Sequence, residues 1–301
     1  MDRLDTMSIL LTVVETGSLS AASRRLGVPL ATVSRRVADL EAHLKTRLLN
    51  RSSRRISLTD AGRSYAAACK RILEQVEEAE RTAAGEYTAP KGDLTLTAPV
   101  VFGRRHVLPI AVAFLEAYPE IDLRIVLADR VINLMEDHVD LAVRIGALPS
   151  SGLIATKVGA IRRVVCASPA YFARRGVPNH PEDLREHDSI TFEGLESDRA
   201  WSFTGPKGDI VVPIHSRLTV NTAEAAIDAA VAGIGITRVL SYQMADARRA
   251  GALQTVLETF EPTPWPVNLV YIGQGLLPLK VRAFLDWATP RLKSRLTQHA
   301  E

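Results

Sequence analysis

The sequence predicts an α+β protein of several domains: a winged helix-turn-helix at the N-terminus, a long linker helix, and a two-lobed α/β domain. Three observations support this prediction. Apolar residues recur at helical spacing in the first sixty residues, which also hold all of the excess positive charge. Residues 63–84 contain neither proline nor glycine and carry a heptad pattern. Strand-like and helix-like segments then alternate from residue 93 onward.

Charge is distributed unevenly along the chain. The 301 residues include 37 Lys and Arg against 34 Asp and Glu, which gives a net charge of +3. Residues 1–60 hold ten basic and six acidic residues, residues 61–90 carry a net charge of −1, and the rest is neutral. A basic head of this kind suggests an anionic partner such as nucleic acid.

Several classes of protein are excluded by composition. No apolar run reaches the roughly 18 residues of a transmembrane helix, and the first residues do not resemble a signal peptide. The cysteines, Cys69 and Cys166, are too far apart to form a CxxC metal pair. We therefore expect a cytoplasmic protein without contact to a membrane, without a metal site and without a cofactor.

Three short helices are predicted in the head. Gly17 ends the first helix, and Ser18 or Ser20 caps the second. The segment Gly27-Val28-Pro29 forms a tight turn, because glycine ends helices and proline begins them. The third helix then runs over residues 30–44. This arrangement matches a helix-turn-helix.

The third helix and the segment after it carry the residues that suit DNA. Its exposed face is predicted to present Thr32, Ser34, Arg35 and Arg36 to a major groove. Two short apolar strands follow and flank a basic tip, which indicates a wing whose cations meet phosphates or the minor groove. The basic residues of the wing are Arg51, Arg54 and Arg55. The alternative is a solvated basic surface with caps and helix ion pairs, which does not explain why the neighbouring wing is also basic.

The motifs of the head resemble those of the LysR-type transcriptional regulators. They are GSLSAASRRLGV at residues 17–28, VSRR at 33–36, LNRS at 49–52 and LTDAG at 58–62. The resemblance implies base-reading positions at Leu30, Ala31, Ser34 and Arg35. Many members carry a polar residue where Leu30 stands, so we expect Leu30 to contact a thymine methyl group instead.

The linker helix is predicted to begin after the cap residue Thr59 and to pair two chains. Tyr65, Cys69, Ile72 and Val76 follow one another at intervals of four, three and four residues, which is a heptad seam. Packing of this stripe onto its own chain is the alternative. The family resemblance implies a homodimer and a dimer of dimers. Two paired heads would bind a pseudo-palindromic operator in double-stranded DNA.

The remaining residues are predicted to form a sensor of two lobes. Strands at 121–127 and 139–145 flank a predicted helix at 131–136, so a parallel sheet is expected, and a strand at 267–271 returns to it. This resembles the family's type 2 periplasmic-binding-protein-like effector domain. The domain boundaries predicted are 1–60 for the DNA-binding head, 61–90 for the linker helix and hinge, and 91–301 for the effector domain. Lobe I is placed at 91–162 and 267–301, and lobe II at 163–266.

A small-molecule effector is expected between the lobes, because ligands of such sheets lie beyond the carboxyl ends of the strands. One candidate position is Ala98-Pro99-Val100, where Pro99 and Val100 offer apolar contact. A second position is Asn221-Thr222 before an alanine-rich helix, and Thr237 follows that helix. Arg144 could pair with an acidic ligand. The alternatives are a structural pair for Arg144 and simple helix capping by Asn221 and Thr222.

The sequence gives no support to an enzyme. Gly233-Ile234-Gly235 lacks the third glycine of a dinucleotide fingerprint, no Gly-x-Ser-x-Gly occurs, and the seven histidines are scattered. An exported binding protein would share the two lobes but would not need the basic head. We expect a ligand-responsive transcription factor whose partners are DNA, an effector, further copies of the chain and, as a further candidate, RNA polymerase.

Overall fold

The computed structural model describes residues 2–51, 56–83, 89–148, 152–192, 200–273 and 277–298, with the backbone alone for Arg51, Glu78 and residues 81–83. The chain divides into two compact units, residues 1–89 and 90–301. Of the helices in these described ranges, none is long and apolar enough to cross a membrane.

The first unit is a three-helix head with a hairpin and a long helix. Its elements are α1 Arg3–Thr16, α2 Leu19–Leu26, α3 Leu30–Leu44, β1 Leu49–Arg51, β2 Ile56–Leu58 and α4 Asp60–Ala83. Gly17 ends α1 at a φ of 64°, a backbone conformation that favours glycine, and the Ser18 hydroxyl caps α2 by accepting the N–H of Ala21. The predicted helix-turn-helix is therefore present, and the predicted bounds of α3 are confirmed.

The two strands of the hairpin pack closely against the helices around them. They pair antiparallel, with Leu49 opposite Leu58. The Glu41 carboxylate on α3 accepts the N–H groups of Leu48 at 2.8 Å and Leu49 at 3.0 Å. At the start of α4, a Cβ on Gly62 would stand 2.0 Å from the Leu48 carbonyl oxygen, so only glycine fits there. The hairpin is thereby held between α3 and α4.

The apolar stripe of α4 divides into two parts. Thr59 caps the helix, as predicted, because its hydroxyl accepts the N–H of Gly62 at 2.9 Å. Cys69 is fully buried within one chain, which corrects its assignment to a seam between two chains, whereas Tyr65 is half-buried and packs against the core of the head. The physical reason is that α4 lies against α1 over this stretch. Ile72 is 39% exposed and Val76 is half-buried, so this later part of the stripe keeps exposed surface.

The second unit contains two five-stranded sheets. Its elements in chain order are β3 Gly92–Ala98, α5 Val100–Phe102, a π-helical turn Gly103–Val107, α6 Leu108–Ala117, β4 Ile121–Leu127, β5 Leu141–Ile145, β6 Leu153–Ile161, β7 Arg163–Ala167, α7 Pro169–Arg175, a 3₁₀ helix Pro181–Glu186, β8 Ser189–Phe192, β9 Ala200–Gly205, β10 Gly208–Pro213, β11 Ser216–Val220, α8 Ala223–Val231, β12 Ile236–Leu240, α9 Ala245–Arg249, β13 Gln254–Val256, a 3₁₀ helix Glu258–Phe260, β14 Trp265–Ile272 and α10 Leu279–Gln298.

Each sheet forms one lobe. The strand order is β4-β3-β5-β14-β6 in lobe I and β11-β8-β12-β7-β13 in lobe II, with β9 and β10 as a separate hairpin. Strand β3 runs parallel to β4 and β5, whereas β14 returns from lobe II and pairs antiparallel with β5 and β6. The predicted return strand is confirmed. The sheet is mixed rather than wholly parallel, because β14 runs antiparallel to both of its neighbours, β5 and β6. Strand β6 was not predicted.

The prediction of a helix at residues 131–136 is wrong, because the segment contains turns and no helix. The Asn133 side-chain oxygen accepts the N–H of Met135 at 3.0 Å, and the Asp137 carboxylate accepts the N–H of Asn133 at 3.1 Å. Such side-chain bonds compete with the backbone bonds of a helix. The segment therefore becomes a loop that follows β4 at one edge of the lobe I sheet.

Candidate DNA-binding surface and effector cleft

The outer face of α3 is open to a partner. Its inner face buries Val33, Val37 and Leu40 in the head core. Leu30 is 45% exposed, and Ala31 beside it is also exposed. No side chain caps this end of α3, so first-turn amides are available to an anion such as a phosphate. The N-terminal end of the helix, which enters the groove in helix-turn-helix proteins, is thus uncovered.

The polar residues predicted on this face differ in exposure. Arg35 is exposed, whereas Thr32 and Ser34 are half-buried beside it. Arg36 turns back toward α1, where its guanidinium lies 3.7 Å from the Asp5 carboxylate. The structure therefore brings Thr32, Ser34 and Arg35 together, and places Arg36 at the margin.

The two predicted serines of α2 have different surroundings. The Ser18 hydroxyl is the N-cap of α2, whereas Ser20, two residues further along the chain, is exposed. In the wing, Arg51 lies on β1 opposite Ile56, but its side chain is outside the described residues. Arg54 and Arg55 also lie outside them. Their role on DNA stays a prediction.

In lobe I, the predicted effector position at Ala98-Pro99-Val100 is already partly occupied by the protein itself. The parallel strands β3, β4 and β5 end at one edge of the sheet, where Pro99 and Val100 are half-buried. The Asp129 carboxylate accepts the N–H of Val100 at 3.0 Å. Ala98 is buried in the core, which corrects its assignment to a ligand-contacting position. An acidic ligand would have to replace Asp129 at this amide.

In lobe II, the predicted polar residues also have internal partners. The Thr222 hydroxyl caps α8 by accepting the N–H of Ala225 at 3.3 Å, and Asn221 before it is exposed. Thr237 is fully buried and donates its hydroxyl to the Ile190 carbonyl at 3.0 Å. Thr237 therefore links two neighbouring strands by a hydrogen bond. This corrects its predicted role as a contact of the effector.

Arg144 is also used inside the protein. Its guanidinium donates to the Ile132 carbonyl, and burial lowers the pKa of Arg144 from its usual value. Arg144 thus has a partner inside the protein but is only half-buried, and its pairing with an acidic ligand stays a prediction. This hydrogen bond joins β5 to the loop after β4.

The structure adds contacts between the lobes that the sequence reasoning missed. Arg105 of the π-helical turn donates two hydrogen bonds to the Asp246 carboxylate, at 2.6 and 2.7 Å. Nearby, the Tyr242 ring meets the Phe102 ring edge-on with centroids 5.5 Å apart. Asp129 could have been found from sequence, because it follows a predicted strand at the edge that holds Pro99. Arg105 and Asp246 could not, since they are 141 positions apart.

Comparison with known families decides what this arrangement is. Residues 4–63 match the bacterial regulatory helix-turn-helix protein of the lysR family, and residues 88–293 match the LysR substrate binding domain. The chain is a LysR-type transcriptional regulator. Members of this family bind DNA and small-molecule effectors, form oligomers, and are transcriptional regulators rather than enzymes.

Its relatives cover nearly its whole length. An HTH-type transcriptional regulator of Xanthomonas campestris pv. campestris (strain 8004) is 36% identical over 97% of this chain and 86% of its own. An HTH-type transcriptional repressor of Pseudomonas aeruginosa (strain UCBPP-PA14) is 36% identical over 95% and 91%. The transcriptional activator AaeR of Escherichia coli (strain K12) is 31% identical over 96% and 94%.

Two solved LysR-type structures share the architecture. CrgA of Neisseria meningitidis has a TM-score of 0.61 and 31% identity over 96% of this chain and 98% of its own. The virulence activator AphB of Vibrio cholerae has a TM-score of 0.60 and 29% identity over 95% and 98%. The predicted LysR resemblance and the predicted fold class are confirmed. The chain is a DNA-binding transcriptional regulator with an effector-binding domain.

Proposed function

We propose that this LysR-type regulator reads its operator with the outer face of α3, in the cytoplasm where the DNA lies. Leu30, Ala31, Ser34 and Arg35 contact base edges, with Thr32 beside them. The observation that carries the proposal is the uncovered N-terminal end of α3, with Arg35 exposed on it. A basic wing follows the other end of α3 in the sequence.

The remaining predicted DNA contacts go to the backbone. Arg51, Arg54 and Arg55 of the wing neutralise phosphates or enter the minor groove, and Arg36 contacts a phosphate at the edge of the groove. Ser18 and Ser20 lie at the start of α2, a position from which a helix-turn-helix approaches the backbone. These contacts hold the head in register without selecting a sequence.

The proposal also divides the chain into three parts, which are a head at 1–60, a linker at 61–90 and an effector domain at 91–301. Ile72 and Val76 pair two chains and set two heads on a pseudo-palindromic site, and two such dimers form a tetramer. An effector bound between the lobes favours one arrangement of the effector domain over another, because it binds the two with different affinity. The spacing of the heads, and any contact with RNA polymerase, changes with it.

The test separates base contacts from phosphate contacts. A preferred site is first selected from random duplex DNA with the wild-type protein. We expect Arg35→Ala to reduce the ratio of specific to non-specific affinity by about tenfold or more, since a good base contact contributes about 1–3 kcal/mol of discrimination. Arg54→Ala is expected to weaken both affinities about equally. Fluorescence anisotropy with labelled duplexes measures both.

Lys207→Ala is the matched control, because it removes an exposed cation from the effector domain instead of the head. It is expected to leave both affinities unchanged. If Arg35→Ala keeps the wild-type ratio, the assignment of α3 to the groove is wrong.

A further inference from the structure

A short segment of lobe II enters the apolar core of lobe I. Leu240 at the end of β12, and Tyr242 just after it, belong to the cluster of buried residues that fills lobe I. The Tyr242 ring meets the Phe102 and His106 rings edge-on, with centroids 5.5 and 5.6 Å apart. The two lobes are thus joined by a buried apolar contact as well as by the chain that runs between them.

An ion pair beside this contact also spans the two lobes. Arg105 lies in the π-helical turn of lobe I, and both of its terminal nitrogens donate to the carboxylate of Asp246 on α9 of lobe II, at 2.6 and 2.7 Å. Two parallel bonds of this kind are the strong, directional form of an arginine–carboxylate pair. The bonds from Arg105 lower the pKa of Asp246 below its usual value, so the pair persists through the neutral range.

The lobe I half of the pair is held firmly by its own lobe. The guanidinium of Arg295 on α10 donates to the Arg105 carbonyl at 3.3 Å, which ties the π-helical turn to the last helix of lobe I. The Arg105 side chain is itself mostly covered. Turns of the π-helical type are rare and occur frequently at functional sites. Arg105 therefore moves with lobe I as one body.

The lobe II half of the pair is built to let go. The Asp246 side chain is 66% exposed, and it also pairs with Arg249, three residues further along α9. When Asp246 leaves Arg105, its charge keeps this second partner and contact with water, so no charge is left buried and alone. The Tyr242 and Phe102 rings, in contrast, are buried. The ion pair is thus the part of the interlobe contact that can open without exposing apolar surface.

We infer that the Arg105–Asp246 pair is a releasable latch, which favours the lobe arrangement of this structure and whose opening lets the lobes reorient about the Tyr242 contact. The inference rests on the proposed function, in which an effector favours one arrangement of the effector domain over another. It adds the contact that sets the balance before any effector binds. Because an equilibrium between two arrangements shifts by the free energy that distinguishes them, loss of the pair alone should change their populations.

Energy transfer between two dyes on one chain measures the lobe arrangement in the full-length protein. Cysteines are introduced at exposed positions, as Glu182→Cys in lobe II with Asp286→Cys in lobe I, and a second dye pair uses Glu116→Cys in lobe I instead. The native Cys69 and Cys166 are buried and do not compete for the dyes. Labelled chains are mixed with a large excess of unlabelled chains, so that each oligomer carries one dye pair.

Variants of the pair test the latch. We expect Arg105→Ala and Asp246→Ala each to raise the population of a second arrangement about fivefold, as for loss of a partly exposed, two-bond ion pair. The double variant should match each single variant, because all three lose the same contact. Arg105→Lys should give a smaller change, since it keeps the charge but not the two-bond geometry. Circular dichroism checks that each variant is folded.

Arg249→Ala is the matched control. It removes the other arginine that pairs with Asp246, on the same helix, but leaves the link between the lobes in place. We expect wild-type energy transfer from this variant at both dye pairs.

Two results would overturn the inference. The first is wild-type energy transfer at both dye pairs in folded Arg105→Ala and Asp246→Ala, because the ion pair would then have no influence on the lobes. The second is an equal change in Arg249→Ala, which would trace the effect to the charge of α9 and not to the bond between the lobes. Neither result bears on DNA reading by α3, which the Arg35→Ala experiment tests without dyes on the effector domain.

Discussion

The Glu41 side chain links α3 to the start of the wing. It lies on α3, and its carboxylate accepts two neighbouring backbone N–H groups at the start of the hairpin. Without it, the amides of Leu48 and Leu49 would have to find other partners, and both residues are buried. The position of the wing relative to α3 therefore depends in part on this charge-assisted contact, beside the apolar core that Leu48 and Leu49 share with α3.

Replacing Glu41 should show this dependence. We expect Glu41→Ala to lower the free energy of unfolding by about 1–3 kcal/mol, the cost of leaving buried amides unpaired, and Glu41→Gln to lower it less, because one acceptor oxygen remains. Urea unfolding followed by circular dichroism measures it. Glu15→Ala is the control, since Glu15 only forms an exposed pair with Arg25. Equal stability of Glu41→Ala and the wild type would show that the contact is dispensable.

At this scale, local capping could be predicted from sequence and remote partners could not. Ser18, Thr59 and Thr222 are caps because each hydroxyl meets an amide three residues further on. Thr237 finds its acceptor 47 positions away, and Arg144 finds one 12 positions away in a loop whose path the sequence does not show. Residue type indicates polar chemistry, but only the fold shows whether the partner is protein or ligand.

Among the elements, α4 serves two interfaces with one stripe. A heptad pattern shows that a face is apolar, not which chain covers it. In this structure α4 packs against α1 of the same chain, Cys69 is fully buried, and Tyr65 is half-buried against the head core. The open positions, Ile72 and Val76, come later on the helix, beyond the part that contacts the head core. The dimer contact that we propose therefore falls on the second half of α4.

A charge in this later part should separate the chains. We expect the double variant Ile72→Asp and Val76→Asp to be monomeric at micromolar concentration, because two buried carboxylates cannot be desolvated without partners. Gln75→Asp, an exposed position between them, should leave the oligomer intact. Light scattering coupled to size exclusion measures the mass. An oligomer that persists in the double variant would place the interface elsewhere in the chain.

The strands and helices could be predicted to different degrees. The bounds of β4 are those predicted, because its apolar pattern is local. Strand β6 was not predicted, since only its pairing with β14, more than a hundred residues later, makes it a strand. Helix 131–136 was predicted wrongly, because its apolar spacing was outweighed by side-chain bonds from Asn133 and Asp137.

Across the whole molecule, the excess positive charge lies in the DNA-binding head and not in the effector domain. The first sixty residues carry +4, while residues 91–301 hold equal numbers of acidic and basic residues. Pairing two chains doubles the positive charge on one duplex without adding charge from the effector domains. Attraction to DNA should therefore come almost entirely from the heads.

The dependence of DNA affinity on salt concentration tests whether the heads provide the attraction to DNA. Because bound cations release counterions from DNA, the logarithm of the affinity should fall linearly with the logarithm of salt concentration, by about 0.9 per phosphate contact, between about 50 and 200 mM. Arg54→Ala should reduce the magnitude of this slope by about two in a dimer, one contact for each head. Lys207→Ala, in the neutral effector domain, should leave the slope unchanged. Anisotropy titrations on one duplex measure all three proteins. If the wild-type affinity barely changed with salt, the wing and the edge of α3 could not be neutralising phosphates, and the positive charge of the head would need another explanation.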